Sequence, residues 1–82
     1  MKNLFVEVYV PALNTHLDLL VPCHITVRQT IQLIVEIIDK KEQIVLDADA
    51  LSLFDTESRS ILDELTIFDE VPVPDACSLI LV

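Results

Sequence analysis

Residues 22–41 read PCHITVRQTIQLIVEIIDKK, and inside them the apolar period lengthens from two residues to between three and four. Thr26 and Gln29 fit the capping-box spacing, in which each side chain satisfies the other residue's free backbone N–H. From there Val27, Ile31, Ile34 and Ile38 recur as a single stripe down a helix. Arg28, Gln32, Glu36 and Asp39 lie opposite the stripe or at its edge, and Glu36 with Lys40 has the spacing of a favourable i,i+4 ion pair. Leu33 and Ile37 fall on one flank and are expected to be partly exposed. Each buried Val or Ile contributes about 1.5–3 kcal/mol by transfer, which outweighs the modest helix propensity of β-branched residues. Such a helix needs a sheet to cover.

Upstream, the pattern is that of strands. LFVEVYV at 4–10 is β-branched and aromatic with Glu7 marking one face, PALN is a turn signal, and THLDLLV at 15–21 alternates again. This predicts a β-hairpin ended by Pro22. Downstream, ALSLF at 50–54 reads as a third strand with Leu51 and Leu53 inward, DTESRS as a polar turn, and ILDEL as a short apolar piece. TIFDEVPVPDA holds two prolines and predicts a loop, with a turn of 3₁₀ helix near Thr66 to Asp69. CSLILV at 77–82 is apolar on both faces, the mark of a central strand.

Composition removes several functions. An 82-residue chain holds one domain, expected to span residues 1–82, and 52% hydrophobic residues supply its core with material to spare. Fourteen acidic residues against five basic ones give a net charge of −9 with no basic cluster, which argues against nucleic acid and against an anionic membrane surface. No apolar run approaches the roughly 20 residues of a spanning helix, so a soluble, cytoplasmic protein without membrane insertion is expected. Glycine is absent, which speaks against phosphate-cradling loops and dinucleotide fingerprints and leaves turns to Pro, Asn, Asp and Ser. Cys23 beside His24 could hold a metal or act as a catalytic couple, but no further ligand stands at a metal-site spacing, and a lone Cys is usually a small buried hydrophobe. Asp47 and Asp49 resemble the start of a calcium loop that lacks its turn glycine and closing Glu. No cofactor, no metal and no catalytic residue are expected.

Hairpin, helix, strand, short strand, proline-interrupted loop and final central strand form the element order of the β-grasp. The chain resembles the ubiquitin-like family over essentially its whole length: FVEVYV as opening strand, VP leading to a helix from Thr26, LSLFDTESRSIL as third strand and turn, and LTIFDE before the last strand. In that last piece Thr66, Ile67 and Asp69 match by type, while the following loop is longer by one residue. The resemblance implies an α+β ubiquitin-like β-grasp with a mixed sheet of four to five strands packed on one main helix. Conjugated modifiers and sulfur carriers of the family end in a flexible Gly-Gly tail that an activating enzyme must thread. Here the sequence as it stands finishes inside an apolar strand-like run at Val82, so neither role is expected.

A small acidic member without that tail most resembles the YukD/EsaB type of accessory protein in type VII secretion systems. That resemblance implies a non-enzymatic cytoplasmic role through contacts with other components, a secretion ATPase or another membrane component among them. Period two sends Val6, Val8, Leu17, Leu19, Leu79 and Leu81 toward the helix and leaves Phe5, Tyr9, Leu20, Ile80 and Val82 on the other side of the sheet. Five sizeable apolar residues there predict one patch for a partner protein or for a second copy in a homo-oligomer. A face covered by loops is the alternative, and a register slip of one residue would exchange the two faces.

Overall fold

A computed structural model of the chain describes residues 3–68 and 76–82, with the backbone alone at 76 and 77. Its elements are β1 (Asn3–Val10), β2 (Thr15–Pro22), the helix α1 (Val27–Glu42), β3 (Leu53–Asp55), β4 (Ser60–Ile61) and β5 (Ala76–Leu81), with 3₁₀ turns at Pro11–Leu13 and Ala48–Ala50. The strands form one mixed sheet in the order β2-β1-β5-β3-β4, with β5 parallel to β1 and the other pairs antiparallel. The α+β ubiquitin-like architecture is therefore present, and the last strand is central as its apolar sequence required. The proline-containing segment at 69–75 lies outside the described residues, as does the end of the 3₁₀ turn expected near Thr66 to Asp69.

Alternation decides the faces. On β1, Leu4, Val6, Val8 and Val10 are buried while Asn3, Phe5 and Glu7 are exposed. Leu17 and Val21 on β2 and Leu79 and Leu81 on β5 join them under the helix, whose Val27, Ile31, Ile34 and Ile38 are buried in return. Leu19 lies between Leu17 and Val21 on the same side of β2 and is half-buried. Phe68, which the sequence pattern assigned to a loop, completes the core.

The helix starts where its cap requires. Thr26 Oγ1 accepts from the Gln29 backbone N–H at 3.1 Å, and Gln29 Oε1 accepts from the Thr26 N–H at 2.9 Å. The remaining free amides of the first turn (Val27 and Arg28) donate to the carbonyls of Thr66 and Glu64 at 2.9 and 2.8 Å, so the segment after β4 finishes the helix start. Ile67 forms a bridge with Thr26 and leads Phe68 into the core. Glu36 and Lys40 make no ion pair; both ion pairs among the described residues belong to Arg28, with Asp49 and Glu64. Two long exposed side chains gain little from pairing.

The third strand runs over 53–55 rather than 50–54. Asp47 accepts from the Asp49 N–H at 3.1 Å and winds 48–50 into a turn, leaving Leu51 against the core but outside the strand. Asp55 extends the strand at the other end. It is buried, and its carboxylate accepts from the Glu57 N–H at 3.1 Å and the Ser58 hydroxyl at 3.0 Å, which offsets the desolvation of a charge. Without glycine, the left-handed backbone positions fall to Asn14, Gln43 and Arg59 among the described residues.

Candidate docking face

Among the described residues nothing covers the side of the sheet away from the helix, and the strand register arranges it in rows. One row crosses all five strands: His16 pairs with Tyr9, Tyr9 with Ile80, Ile80 with Phe54 and Phe54 with Ile61. Four inter-strand spacings make it about 19 Å long. Tyr9 stacks on His16 with ring centroids 4.5 Å apart and donates its hydroxyl to Asn14 Oδ1 at 3.1 Å. Tyr9, Ile80 and Phe54 are half-buried by their neighbours, and Ile61 at the far edge is 59% exposed. Val82 stands one strand period beyond Ile80 on the same side, exposed, with its backbone paired to Ser52 in both directions at 2.7 and 2.9 Å.

Phe5 and Leu20 pair with each other at the opposite end of the face, and Leu20 is 68% exposed. Between them and the long row lies a polar band: Glu7 opposite Asp18, with Ser78 beside Glu7. All five sequence-identified residues therefore share the open side, but not as one patch. Tyr9, Ile80 and Val82 lie together; Phe5 and Leu20 lie across an acidic band from them. Phe54 and Ile61 belong to the long row and were missed, although Leu53 inward already implied Phe54 outward by alternation. Ile61 sits in a two-residue strand too short to show a period.

The other singled-out residues have structural surroundings. Cys23 is buried and His24 exposed, so the adjacent pair faces different environments. Asp47 caps a turn and Asp49 pairs with Arg28. Among the described residues no three His, Cys, Asp or Glu side chains gather as a metal site, and no helix is long and apolar enough to cross a membrane.

No family model matches the chain, and no curated protein matches it in sequence. Solved structures do match in shape. The N-terminal ubiquitin-like domain of the 4931431F19Rik protein superposes with a TM-score of 0.73 at 21% identity, over 99% of this chain and 74% of that one. Ubiquitin of Caldiarchaeum subterraneum gives 0.73 at 16% identity, covering 98% and 91%. The UBL domain of Plasmodium falciparum Dsk2 gives 0.72 at 16%, covering 99% and 100%. The fold is ubiquitin-like, and at these identities the likeness establishes the fold and no more.

Proposed function

We propose that the chain is a non-enzymatic ubiquitin-like interaction module, one domain over residues 1–82, that docks a partner protein on the open face of its sheet. The observation that carries this is the row of His16, Tyr9, Ile80, Phe54 and Ile61 crossing every strand, with Val82 beside it. Tyr9, Ile80, Phe54 and Ile61 in line across a sheet that no described residue covers are a surface for another protein, and a net charge of −9 favours a partner with a basic rim. Phe5 and Leu20 form a smaller second contact beyond the acidic band.

The partner we infer is a secretion ATPase or another membrane-embedded component of a bacterial type VII system, with the chain as its cytoplasmic accessory or regulator. The small size, acidic balance and β-grasp order shared with YukD/EsaB proteins support this. Affinity capture of the tagged protein from detergent extracts of its native cells, read by mass spectrometry, tests both levels. Recovery of such a component, lost in Ile80→Glu and Ile61→Glu variants that keep the wild-type circular dichroism, supports the proposal. Undiminished recovery in both variants removes the open face from it, and recovery of unrelated proteins removes the secretion assignment. A light-scattering mass above the monomer's at micromolar concentration would replace the partner by a second copy.

A further inference from the structure

The open face changes character at regular steps along β1. Tyr9, Glu7 and Phe5 stand on the same side of the strand, so the apolar row, the acidic band and the smaller apolar pair follow one another at intervals of about 7 Å. On β2, His16, Asp18 and Leu20 repeat that order beside them. β1 is hydrogen-bonded to β2 on one side and to β5 on the other, so this part of the face offers a visitor side chains and no backbone groups. An occupant must satisfy its own backbone.

Charge selects that occupant. Glu7 and Asp18 are exposed and directly opposite each other, and like charges so placed repel. Neither joins an ion pair among the described residues. The cations among those residues stand elsewhere: Arg28 is tied to Asp49 and Glu64, Lys40 and Lys41 belong to the helix on the other side of the sheet, and Arg59 sits in the turn between β3 and β4. Anything that covers both apolar contacts also covers the two carboxylates between them. Without a countercharge it strips water from two acids, which costs free energy; with an Arg or Lys at that point the acids become charge-assisted acceptors. A second copy is a poor source of that cation, because its Lys40 and Lys41 stand among Glu36, Asp39 and Glu42 and it brings a further −9 to the contact.

We propose, building on the docking role assigned to this face above, that Glu7 and Asp18 are its specificity determinants. They admit a partner protein that sets an Arg or Lys side chain on the acidic band, with one apolar side chain on Tyr9 and Ile80 and another on Phe5 and Leu20. The selecting cation thus stands in the middle of the contact and not only at its rim.

The probe is a blocked helix of alanine and glutamine, about 20 residues long, that carries leucine, arginine and leucine at successive four-residue steps. These stand about 6 Å apart along the helix axis and so follow the steps of the strand. A second peptide has glutamate in place of the arginine, and each is titrated into the full, isotope-labelled chain. The arginine peptide should bind about tenfold more tightly at low salt, and the ratio should fall to about twofold in about 1 M salt. Asp18→Asn with Glu7→Gln should remove the preference, and Asp18→Lys with Glu7→Lys should reverse it, with circular dichroism unchanged. Leu20→Ser should weaken the arginine peptide about fivefold, while Ile37→Lys, on the helix, leaves its binding as it was. Equal binding of the two peptides that Ile80→Glu still abolishes would overturn the role of Glu7 and Asp18 and leave the docking face standing. Binding that survives Ile80→Glu would overturn the docking face with it, and an arginine peptide that fails to bind at millimolar concentration would overturn the proposal outright.

Discussion

The two faces of one sheet are made from the same strands and differ only in which alternate residue each receives. Beneath the helix, Val6, Val8, Leu53 and Leu79 meet Ile31, Ile34 and Ile38 with almost no solvent contact. On the open side, the residues next to them in sequence form an apolar row, an acidic band and a small apolar pair. The helix face holds the fold through continuous packing. The open face is interrupted, and its charges stand where packing does not need them. Stability and recognition are separated by one step along the strand.

Substitutions can break this division, and the largest effect is expected on the closed side. Ile34→Ala should cost about 2–5 kcal/mol in urea unfolding, as large-to-small changes in a packed core do, whereas Ile61→Ala should stay within about 0.5 kcal/mol of wild type. Equal effects would mean that the open row is part of the core. Thr26→Ala, which removes the helix cap, should cost about 1 kcal/mol by the same measurement. Gln43→Gly acts in the opposite direction. Gln43 holds φ 57° at the helix end, and relieving a left-handed side-chain clash should raise stability by about 0.5–1 kcal/mol, a melting-temperature gain of about 2–8 °C. The smallest effect belongs to the open face: Asp18→Asn should stabilise by a few tenths of a kcal/mol through loss of the Glu7 repulsion, and the gain should shrink in high salt.

The helix side was the more legible in sequence, because its signals are local. A capping box at Thr26, a change of period and a four-residue stripe sit within one stretch, and alternation in β1, β2 and β5 assigned Phe5, Tyr9, Leu20, Ile80 and Val82 to the correct side. What sequence could not reach was lateral order. That Ile80 stands between Tyr9 and Phe54 depends on strands distant in the chain becoming neighbours, and that Glu7 meets Asp18 depends on the hairpin's register. The third strand was misplaced because polar contacts of Asp47 and Asp55, not the apolar pattern, set its limits. Phe68 gave no signal of burial, since its place comes from the bridge between Ile67 and Thr26.

The helix start has a kinetic consequence. Its first two amides, at Val27 and Arg28, donate to carbonyls contributed from the second half of the chain, so the first turn is complete only after a long loop has closed. Local nucleation can form the middle of α1 early, while its beginning waits for the slower, non-local step. In native-state hydrogen exchange, these two amides would then open together with the 64–66 segment rather than with the rest of their own helix.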